Sequence, residues 1–474
     1  MIKRRQFIKT TGIISAGLLL NQDIYAVASN DFESKRPPKS KRHFTSQAVE
    51  DTIADIKKNV ASKELAWMFE NCYPNTLDTT VYFEEVNGRP DTYAITGDID
   101  AMWMRDSTAQ VWPYLSLVGQ DPQLKQLVAG LINRQTRYIH LDPYANAFYK
   151  DEKHISEWKD DLTDMKPGVH ERKWEIDSLC YPIRLAHAYW KKTGDTQPFG
   201  EEWKAAMTLV VKTFREQQRK KDHGPYTFQR NTPKATDTVP LQGYGYPVNP
   251  VGLICSTFRP SDDATVYSFL IPSNFFAVTS LRQAAEMLTA IHKDVQAAND
   301  CLKLAGEVQD ALKKYATAHH PVYGRIYGFE TDGFGNYLFM DDANVPGLLS
   351  LPYLGSVPLT DPVYQNTRRF VLSPNNPFYF KGKAAEGIGG PHVAVDMVWP
   401  LSIILRGLTS TNDTEIKNCL TTLMNTHAGT GFMHEAFHKD DASKFTRSWF
   451  AWANTMFGEF VLRIYKTKPN LLKI

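Results

Sequence analysis

Helical periodicity constrains the fold of this chain more than any other sequence feature. Apolar residues recur at spacings of about 3.6 in many separate segments of the 474 residues, which is typical of amphipathic helices. Convincing alternating strands are few, and residues 93–95 and 322–328 are the best of them. The helical segments are 46–69, 107–117, 123–138, 176–192, 203–217, 274–292, 294–316, 395–407, 415–427 and 447–462.

This pattern, without βαβ alternation, predicts an all-α architecture of antiparallel helical hairpins. No sequence repeat of fixed period is visible, which disfavours a regular solenoid and favours a closed ring of hairpins. The connections between helices are long and rich in Gly, Pro and aromatic residues, as at 232–260 and 372–391. Loops of this length are usually functional, so we expect the site on them.

The first 28 residues predict an export signal. Arg4 and Arg5 precede an apolar run at residues 12–20, and small residues at 26–28 stand at the spacing of a cleavage site. The paired arginines resemble a twin-arginine signal, with a general secretion signal as the alternative. We therefore expect an exported protein in the periplasm of a Gram-negative bacterium, with no membrane association after signal removal. Residues 29–44 then predict a flexible linker, and residues 45–474 a single catalytic domain.

Charge and cysteine content narrow the class of partner. The formal net charge is +2, and most of it comes from the N-terminal signal, so the body is nearly neutral and nucleic acid is not expected to bind. The 5 cysteines are widely spaced and form no CxxC pair, so we expect buried apolar residues rather than essential disulfides. The oligomeric state is open, with a monomer as the default expectation.

Polar clusters fall on the loops or at helix starts. The densest is residues 96–107, which combines Asp98, Asp100 and Asp106 with Arg105 and Trp103. Buried carboxylates usually serve a function, although a helix N-terminus with a cap and an ion pair is the alternative. The other clusters are residues 172–178, 256–264, 340–346, 386–392 and 431–437.

These clusters favour carboxylate chemistry. No nucleophile elbow, P-loop or dinucleotide fingerprint is present, and no loop has the ligand spacing of a metal site, so we expect no cofactor and no metal. Acidic pairs such as Asp262-Asp263 leave calcium as the metal alternative. Paired carboxylates with aromatic platforms predict a glycosidase.

The strings GDIDAMWMRDS, WEIDSLCYP, STFRPSDDA, IPSNFFAV, DDANVP and GFMHEAF resemble the family-125 glycoside hydrolases, from about residue 45 to the C-terminus and in the same order. This resemblance implies an (α/α)6 barrel and a metal-independent, inverting exo-α-1,6-mannosidase that acts on α-mannoside glycans such as mannan or N-glycan oligosaccharides. It also implies that Asp262 is the general acid, with Asp263 as the alternative, and that Glu435 is the general base. Candidate sugar contacts are Asp98, Asp100, Trp103, Arg105, Asp106, Glu175, Arg259, Asp263, Asn274, Asn344, Glu386, His392 and His434.

Two other functions stay open at this point. Another inverting glycosidase on the same ring, similar to a glucosidase or trehalase, would keep the acid and base and change the pocket. A polysaccharide lyase would act on uronic acids and would favour a cleft rich in Lys and Arg, which the motifs do not show.

Overall fold

Helices begin and end in this protein largely where the apolar spacing predicts them. The computed structural model describes residues 32–473. Within that range the helices are α1 (Gln47–Asn59), α2 (Lys63–Cys72), α3 (Asn75–Thr79), α4 (Met104–Val111), α5 (Pro122–Leu141), α6 (Ile176–Thr193), α7 (Glu201–Gln217), α8 (Ile271–Met287), α9 (Val295–Tyr315), α10 (Pro362–Val371), α11 (Pro400–Leu408), α12 (Asp413–Asn425) and α13 (Ala451–Thr467).

Two of the predicted helices have different bounds for local reasons. The segment predicted at 46–69 is two helices, because the Ser62 side chain accepts from Leu65 N and starts α2 after α1 has ended. The segment predicted at 395–407 is helical only from Pro400, since Met397–Val398 pairs as a strand. Helix α10 was not predicted.

The strands are short and antiparallel, and they pair in six small sheets within the described residues. The predicted strands at 93–95 and 322–328 correspond to β2 and β8. The strands are β1 (Val81–Val86), β2 (Arg89–Ala94), β3 (Met102–Trp103), β4 (Ala147–Phe148), β5 (Val169–Glu171), β6 (Phe269–Leu270), β7 (Thr317–His320), β8 (Gly324–Tyr327), β9 (Glu330–Thr331), β10 (Tyr337–Leu338), β11 (Tyr379–Lys381), β12 (Glu386–Ile388), β13 (Met397–Val398), β14 (Ala436–His438) and β15 (Asp441–Thr446).

The helices form two layers of a ring. In the inner layer α4 packs against α6 and α13, α6 packs against α8, and α11 packs against α13. Helices α5, α7, α9 and α12 lie outside them, with α5 against α6 and α7, α9 against α7 and α8, and α12 against α11. Gly97 also pairs with Phe450, so the first and last inner helices meet. This is the predicted (α/α)6 barrel.

The core lies between the two layers of helices. Most buried apolar side chains belong to one continuous cluster, as expected for a ring of amphipathic helices. All five cysteines are free and buried, which confirms their prediction as core residues.

The chain before α1 packs on the helices, which corrects part of the predicted linker. Within the described residues, 34–473 belong to one unit of contacts. Arg36 is buried and pairs through Nε with Asp78 Oδ2 at 2.7 Å and through Nη2 with Glu50 Oε1 at 2.5 Å. Residues 34–44 are therefore held by ion pairs that a charge-rich sequence alone did not indicate.

The predicted export signal lies outside the described residues. Among residues 32–473, no helix combines the length and the hydropathy of a bilayer-spanning segment.

Candidate active site

The N-termini of α4, α6 and α13 meet, and the candidate site lies where they do. Arg105 and Asp106 are in the first turn of α4, Glu175 is the N-cap of α6, and Arg447 precedes α13. Helix N-termini carry partial positive charge, so they favour the carboxylates gathered here.

Arg105 lies among four carboxyl groups. Its Nη1 donates to Glu175 Oε2 at 2.6 Å, and its Nη2 donates to Asp262 Oδ1 at 3.3 Å. Asp177 Oδ2 lies 3.4 Å from Nη1, and Asp106 Oδ2 lies 3.5 Å from Nε. We call these five residues the Arg105 cluster. The Asp262 side chain is 20% exposed and the other four are at most 7% exposed, so only Asp262 reaches towards solvent.

Three buried carboxyl groups and one partly exposed carboxyl group around a single guanidinium disfavour full ionisation. Burial raises the pKa of Asp106 and of Asp177 to about 6 in each case, although Arg105 opposes the shift. Burial, with the charges of Asp262 and Asp177, raises the pKa of Glu175 well above its usual range. The cluster therefore holds at least one proton near neutral pH.

Glu175 and Asp262 both contact Arg105, through Nη1 at 2.6 Å and Nη2 at 3.3 Å, and their pKa values shift in opposite directions. Burial would raise the pKa of Asp262, but Arg105 and Lys173 outweigh it and hold that pKa below its ordinary value. The proton accordingly resides mainly on Glu175 in the free protein.

A strained loop presents Asp262. Its φ of 65° is in the left-handed region, which a non-glycine residue adopts at a cost. Arg259 N donates to Asp263 O at 2.8 Å, and Asp262 N donates to Arg259 O at 2.9 Å. Asn146 Nδ2 donates to Asp262 Oδ1 at 3.1 Å, and Lys173 Nζ to Asp262 O at 2.9 Å. These contacts fix the carboxyl group in one orientation.

Asp263 points to a different set of partners. Its side chain is fully buried, 3.4 Å from Lys234 Nζ and 3.6 Å from His392 Nδ1. Burial would raise its pKa, but the nearby His392 and Lys234 lower it to about 2. Burial would lower the pKa of His392, yet Asp263 and the charge of Glu435 raise it. Asp263 is therefore an ionised partner of His392 and Lys234.

Glu435 lies on the segment just before β14. Its Oε2 accepts from Thr446 Oγ1 at 2.9 Å, and its Oε1 lies 3.5 Å from Arg447 Nη1. Arg447 also donates to Asp98 Oδ1 at 2.5 and 2.8 Å, and it interacts electrostatically with Asp106. An alternating series of charges thus links Glu435 to the Arg105 cluster.

Indole groups with unused donors surround these charges. Trp103 Nε1, Trp399 Nε1 and Trp449 Nε1 are buried, and none has a hydrogen-bond partner among residues 32–473. Trp103 belongs to a small apolar cluster with Ala101 and Ala147, apart from the main core. Buried donors without partners are rare, so these groups are available to ligand hydroxyls.

Several predicted sugar contacts do not join the site. Asp100 is exposed, and its charge acts on Tyr82 and Tyr93 of the β1–β2 hairpin. Glu386 pairs instead with Lys381 at 2.9 Å and Arg406 at 3.1 Å. Their roles as sugar contacts stay predictions, and these ion pairs could not be read from the local charge density of the sequence.

Two further predicted contacts serve the backbone and the loop. The Asn274 amide donates to Ile254 O and Leu270 O and accepts from Ile254 N, so no group is left for a sugar. Arg259 pairs with Glu330 at 2.6 Å and holds the base of the Asp262 loop.

Asn344 and His434 also make internal contacts. Asn344 Nδ2 donates to Asp342 Oδ1 at 3.1 Å, which orients that carboxylate. The His434 ring stacks on Phe445 at 3.6 Å, and burial lowers its pKa to about 4, so it is neutral.

Sequence reasoning missed four residues that contact the site. They are Asp177, Lys173, Asn146 and Arg447. Asp177 stands one residue inside α6 in the WEIDS string, so its place in a helix first turn was a usable signal. Arg447 stands in a segment without neighbouring carboxylates, and only the fold brings it to Glu435.

Residues 32–473 contain no group of three or more His, Cys, Asp or Glu side chains that could hold a metal ion.

Comparison with protein families gives one match over most of the chain. Residues 62–462 match the family described as metal-independent alpha-mannosidase (GH125). The meiotically up-regulated gene 157 protein of Schizosaccharomyces pombe is 43% identical over 458 residues, covering 93% of this chain and 90% of that protein.

Solved structures agree with this match. A Streptococcus pneumoniae metal-independent α-mannosidase, in a non-productive complex with α-1,6-mannobiose, is 41% identical with a TM-score of 0.85. The alignment covers 90% of this chain and 100% of that chain. A bacterial glucoamylase complexed with acarbose has a TM-score of 0.53 at 12% identity, over 90% of this chain and 58% of that one, which shows a shared fold alone.

Proposed function

This chain belongs to the GH125 family of metal-independent α-mannosidases and is a glycoside hydrolase, and from that premise we propose that it is an exo-acting α-1,6-mannosidase. It removes terminal α-mannose from non-reducing ends by a single displacement with inversion. The observation that carries the proposal is the contact of both Asp262 and Glu175 with Arg105, together with a second carboxylate, Glu435, that lies 3.5 Å from Arg447. The relative from S. pneumoniae, crystallised with α-1,6-mannobiose, supports the linkage.

Asp262 is the general acid in this proposal. It is the carboxyl of the Arg105 cluster that reaches towards solvent, and Glu175 holds a proton against it. The glycosidic oxygen becomes more basic as its bond to the anomeric carbon breaks. The proton is then delivered to this oxygen through Asp262. Asp263 does not fit this role because His392 keeps it ionised.

Glu435 is the general base. Its Oε1 lies 3.5 Å from Arg447 Nη1, and Thr446 orients the other oxygen, so the carboxylate is held in place to take a proton from water. Inverting glycosidases place their two carboxyls roughly 6.5–9.5 Å apart so that this water fits between sugar and base.

The terminal mannose is bound by the buried polar groups around Trp103 in this proposal. Trp103 Nε1 has no partner in the described chain, and Asp98 and Asp106 lie on either side of Arg447. Carboxylates and an indole N–H are suited to adjacent hydroxyls of a sugar ring.

Proton NMR of α-1,6-mannobiose hydrolysis in the presence of EDTA tests the linkage, the stereochemistry and the metal requirement together. We expect β-mannose to form first and the rate to be insensitive to the chelator. The appearance of α-mannose as first product would contradict inversion. Faster cleavage of α-1,2- or α-1,3-mannobiose, or of glucose disaccharides, would contradict the proposed specificity.

We also propose export to the periplasm, on the sequence of residues 1–28 alone. Replacement of Arg4 and Arg5 by lysine should retain the protein in the cytoplasm if the signal is of the twin-arginine type. Cell fractionation measures this, and unchanged export of the double variant would indicate the general secretion route.

A further inference from the structure

A second cavity of about 530 Å³ lies beyond the C-terminal end of α7. Two segments line it, residues 219–223 directly after the helix and residues 241–250 of the long loop that precedes the Asp262 segment. Its lining residues include neither a member of the Arg105 cluster nor Glu435. The proposed hydrolysis does not use it.

Arg219 is the unusual residue of this cavity. It is 6% exposed, and only its Nη1 has a partner, Tyr244 O at 2.9 Å. Its Nε and Nη2 are buried without any hydrogen-bond partner in the described chain, and no carboxylate between residues 32 and 473 forms an ion pair with it. A buried guanidinium without a counter-ion is costly, so the site is incomplete without an anion.

The backbone around Arg219 is strained in the same region. Arg219 has a φ of 53°, and on the facing loop Leu241 and Gln242 have φ values of 53° and 58°. Non-glycine residues in the left-handed region persist only where surrounding contacts hold them, and they cluster at ligand sites. Here the strain turns Arg219 inward at the end of α7 and places the 241–250 loop over it.

The rest of the wall combines aromatic and aliphatic side chains with one carboxylate, Asp222, whose Oδ1 accepts from Gly224 N. Tyr244 packs at 5.2 Å against His223, and Tyr246 is 52% exposed. Lys221 stands at the rim, whereas Lys220 is already paired with Glu307 at 2.7 Å. Exposed aromatic rings beside a cation are suited to a sugar ring that carries a negative group.

We propose that this cavity binds a saccharide bearing an oxyanion, with the anionic group at Arg219 and the sugar ring against Tyr244 and Tyr246. Arg219 has a planar fork that matches the oxygens of phosphate, sulfate or carboxylate. On binding, a small shift of the strained 241–250 loop exposes the Nε or Nη2 group of Arg219 to the anion.

The cavity is joined to the Asp262–Glu175 pair through two hydrogen bonds. Gln217 O at the end of α7 accepts from Cys255 N at 2.9 Å, and Cys255 O accepts from Trp174 Nε1 at 2.7 Å. Trp174 directly precedes Glu175. A charged glycan held in the cavity therefore lies on the wall that also supports the site, and the cavity selects anionic glycans for the enzyme.

Titration calorimetry of the full chain with mannose 6-phosphate tests this site, with mannose and inorganic phosphate as separate arms. We expect saturable binding of mannose 6-phosphate, competition by phosphate, and far weaker binding of mannose. Tyr246→Ala and Arg219→Gln should each weaken binding about tenfold or more, the loss expected for one charge-assisted or stacking contact. Tyr82→Ala, which removes a 38% exposed ring elsewhere, is the matched control and should leave binding unchanged.

Mannose binding as tightly as mannose 6-phosphate would overturn the role of Arg219, and so would undiminished binding by Arg219→Gln. Phosphate binding that Tyr246→Ala does not affect, with no gain from the sugar, would show an adventitious ion only. Because Tyr246 is exposed, its variant should fold even where Arg219→Gln does not. Turnover of α-1,6-mannobiose should be unchanged in Tyr246→Ala. Binding should persist in Glu435→Gln, which separates failure of this site from failure of the proposed hydrolysis.

Discussion

At the scale of single residues, the protein gathers carboxyl groups in a largely buried place, where a negative charge has a higher free energy than in water. Four carboxyls share Arg105, and Asp262 adopts a left-handed φ of 65° to reach them. Such an arrangement lowers the stability of the folded protein. Its presence is explained if these carboxyl groups hold a proton for the proposed reaction. The acid of the proposed reaction is thus a pair of carboxyls rather than one residue.

Glu175→Gln should reduce kcat by about tenfold to hundredfold while KM changes little, because glutamine cannot store the proton. Activity that needs the protonated pair is present at low pH and is lost as pH rises through the raised pKa. In the variant, Arg105 and Lys173 still lower the pKa of Asp262, so the loss moves to lower pH. The pH profile of kcat/KM measures the shift.

Asp177→Asn is the control for that experiment, because Asp177 also contacts Arg105 but burial raises its pKa only to about 6, less than that of Glu175. It should shift the profile less. A uniform loss of activity by Glu175→Gln at every pH would show that Glu175 has only a structural role.

Glu435→Gln should lower kcat by about 10²–10⁴-fold and leave mannobiose binding nearly intact, since an amide keeps the contact with Thr446 but cannot accept a proton from water. Single-turnover kinetics and calorimetry with α-1,6-mannobiose measure the two effects. Substantial residual turnover would refute Glu435 as the base.

At the scale of elements, the two layers of the ring start their helices differently. The outer helices α5, α9 and α12 have side-chain caps from Asp121, Asp294 and Asn412, whereas the outer helix α7 starts at Gly200 without one. The inner helices have none, and their N-cap residues are Trp103, Glu175, Leu270, Trp399 and Phe450. Uncapped inner N-termini leave positive partial charge at the carboxyl groups of the site.

Asn412→Ala should lower the free energy of unfolding by about 1 kcal/mol, because the Asn412 side chain accepts from Glu415 N at 3.0 Å and caps an outer helix. Activity should not change, since α12 does not reach the site. Urea unfolding with an activity assay tests both points. Asn412→Asp retains the cap and should behave like the parent protein; equal stability of all three proteins would contradict the role of the cap.

At the scale of the whole molecule, the ring is held closed at the seam between its first and last inner helices. Ala451 N donates to Thr96 O at 3.0 Å, and Asp98 N donates to Trp449 O at 3.3 Å. Arg447 reaches from the last hairpin to Asp98 on the first. The seam therefore brings Glu435 and Arg447 close to the Arg105 cluster. The contacts that close the ring also assemble the site.

Arg36→Ala should lower the free energy of unfolding by roughly 2–4 kcal/mol, because it leaves Asp78 buried with only the more distant Arg42 as partner. Arg89→Ala is the matched control: its ion pair with Glu202 is exposed at both ends, so the loss should stay below about 1 kcal/mol. Chemical denaturation of both variants provides the measurement. Equal losses would show that the segment before α1 does not stabilise the domain.

The sequence by itself determined the helical ring and the family, and it predicts Asp262 and Glu435 as the catalytic carboxyls. Apolar periodicity depends on neighbours within one helix, and strings such as STFRPSDDA are contiguous, so both can be read along the chain. Only the tertiary structure decided which charges meet. Glu386 forms an ion pair with Arg406, the Asn274 amide donates to the backbone, and Arg447 lies 3.5 Å from Glu435 across the seam. The physical reason is that burial and ion pairing set the state of a carboxyl group, and its partners here stand tens to hundreds of residues away in the chain.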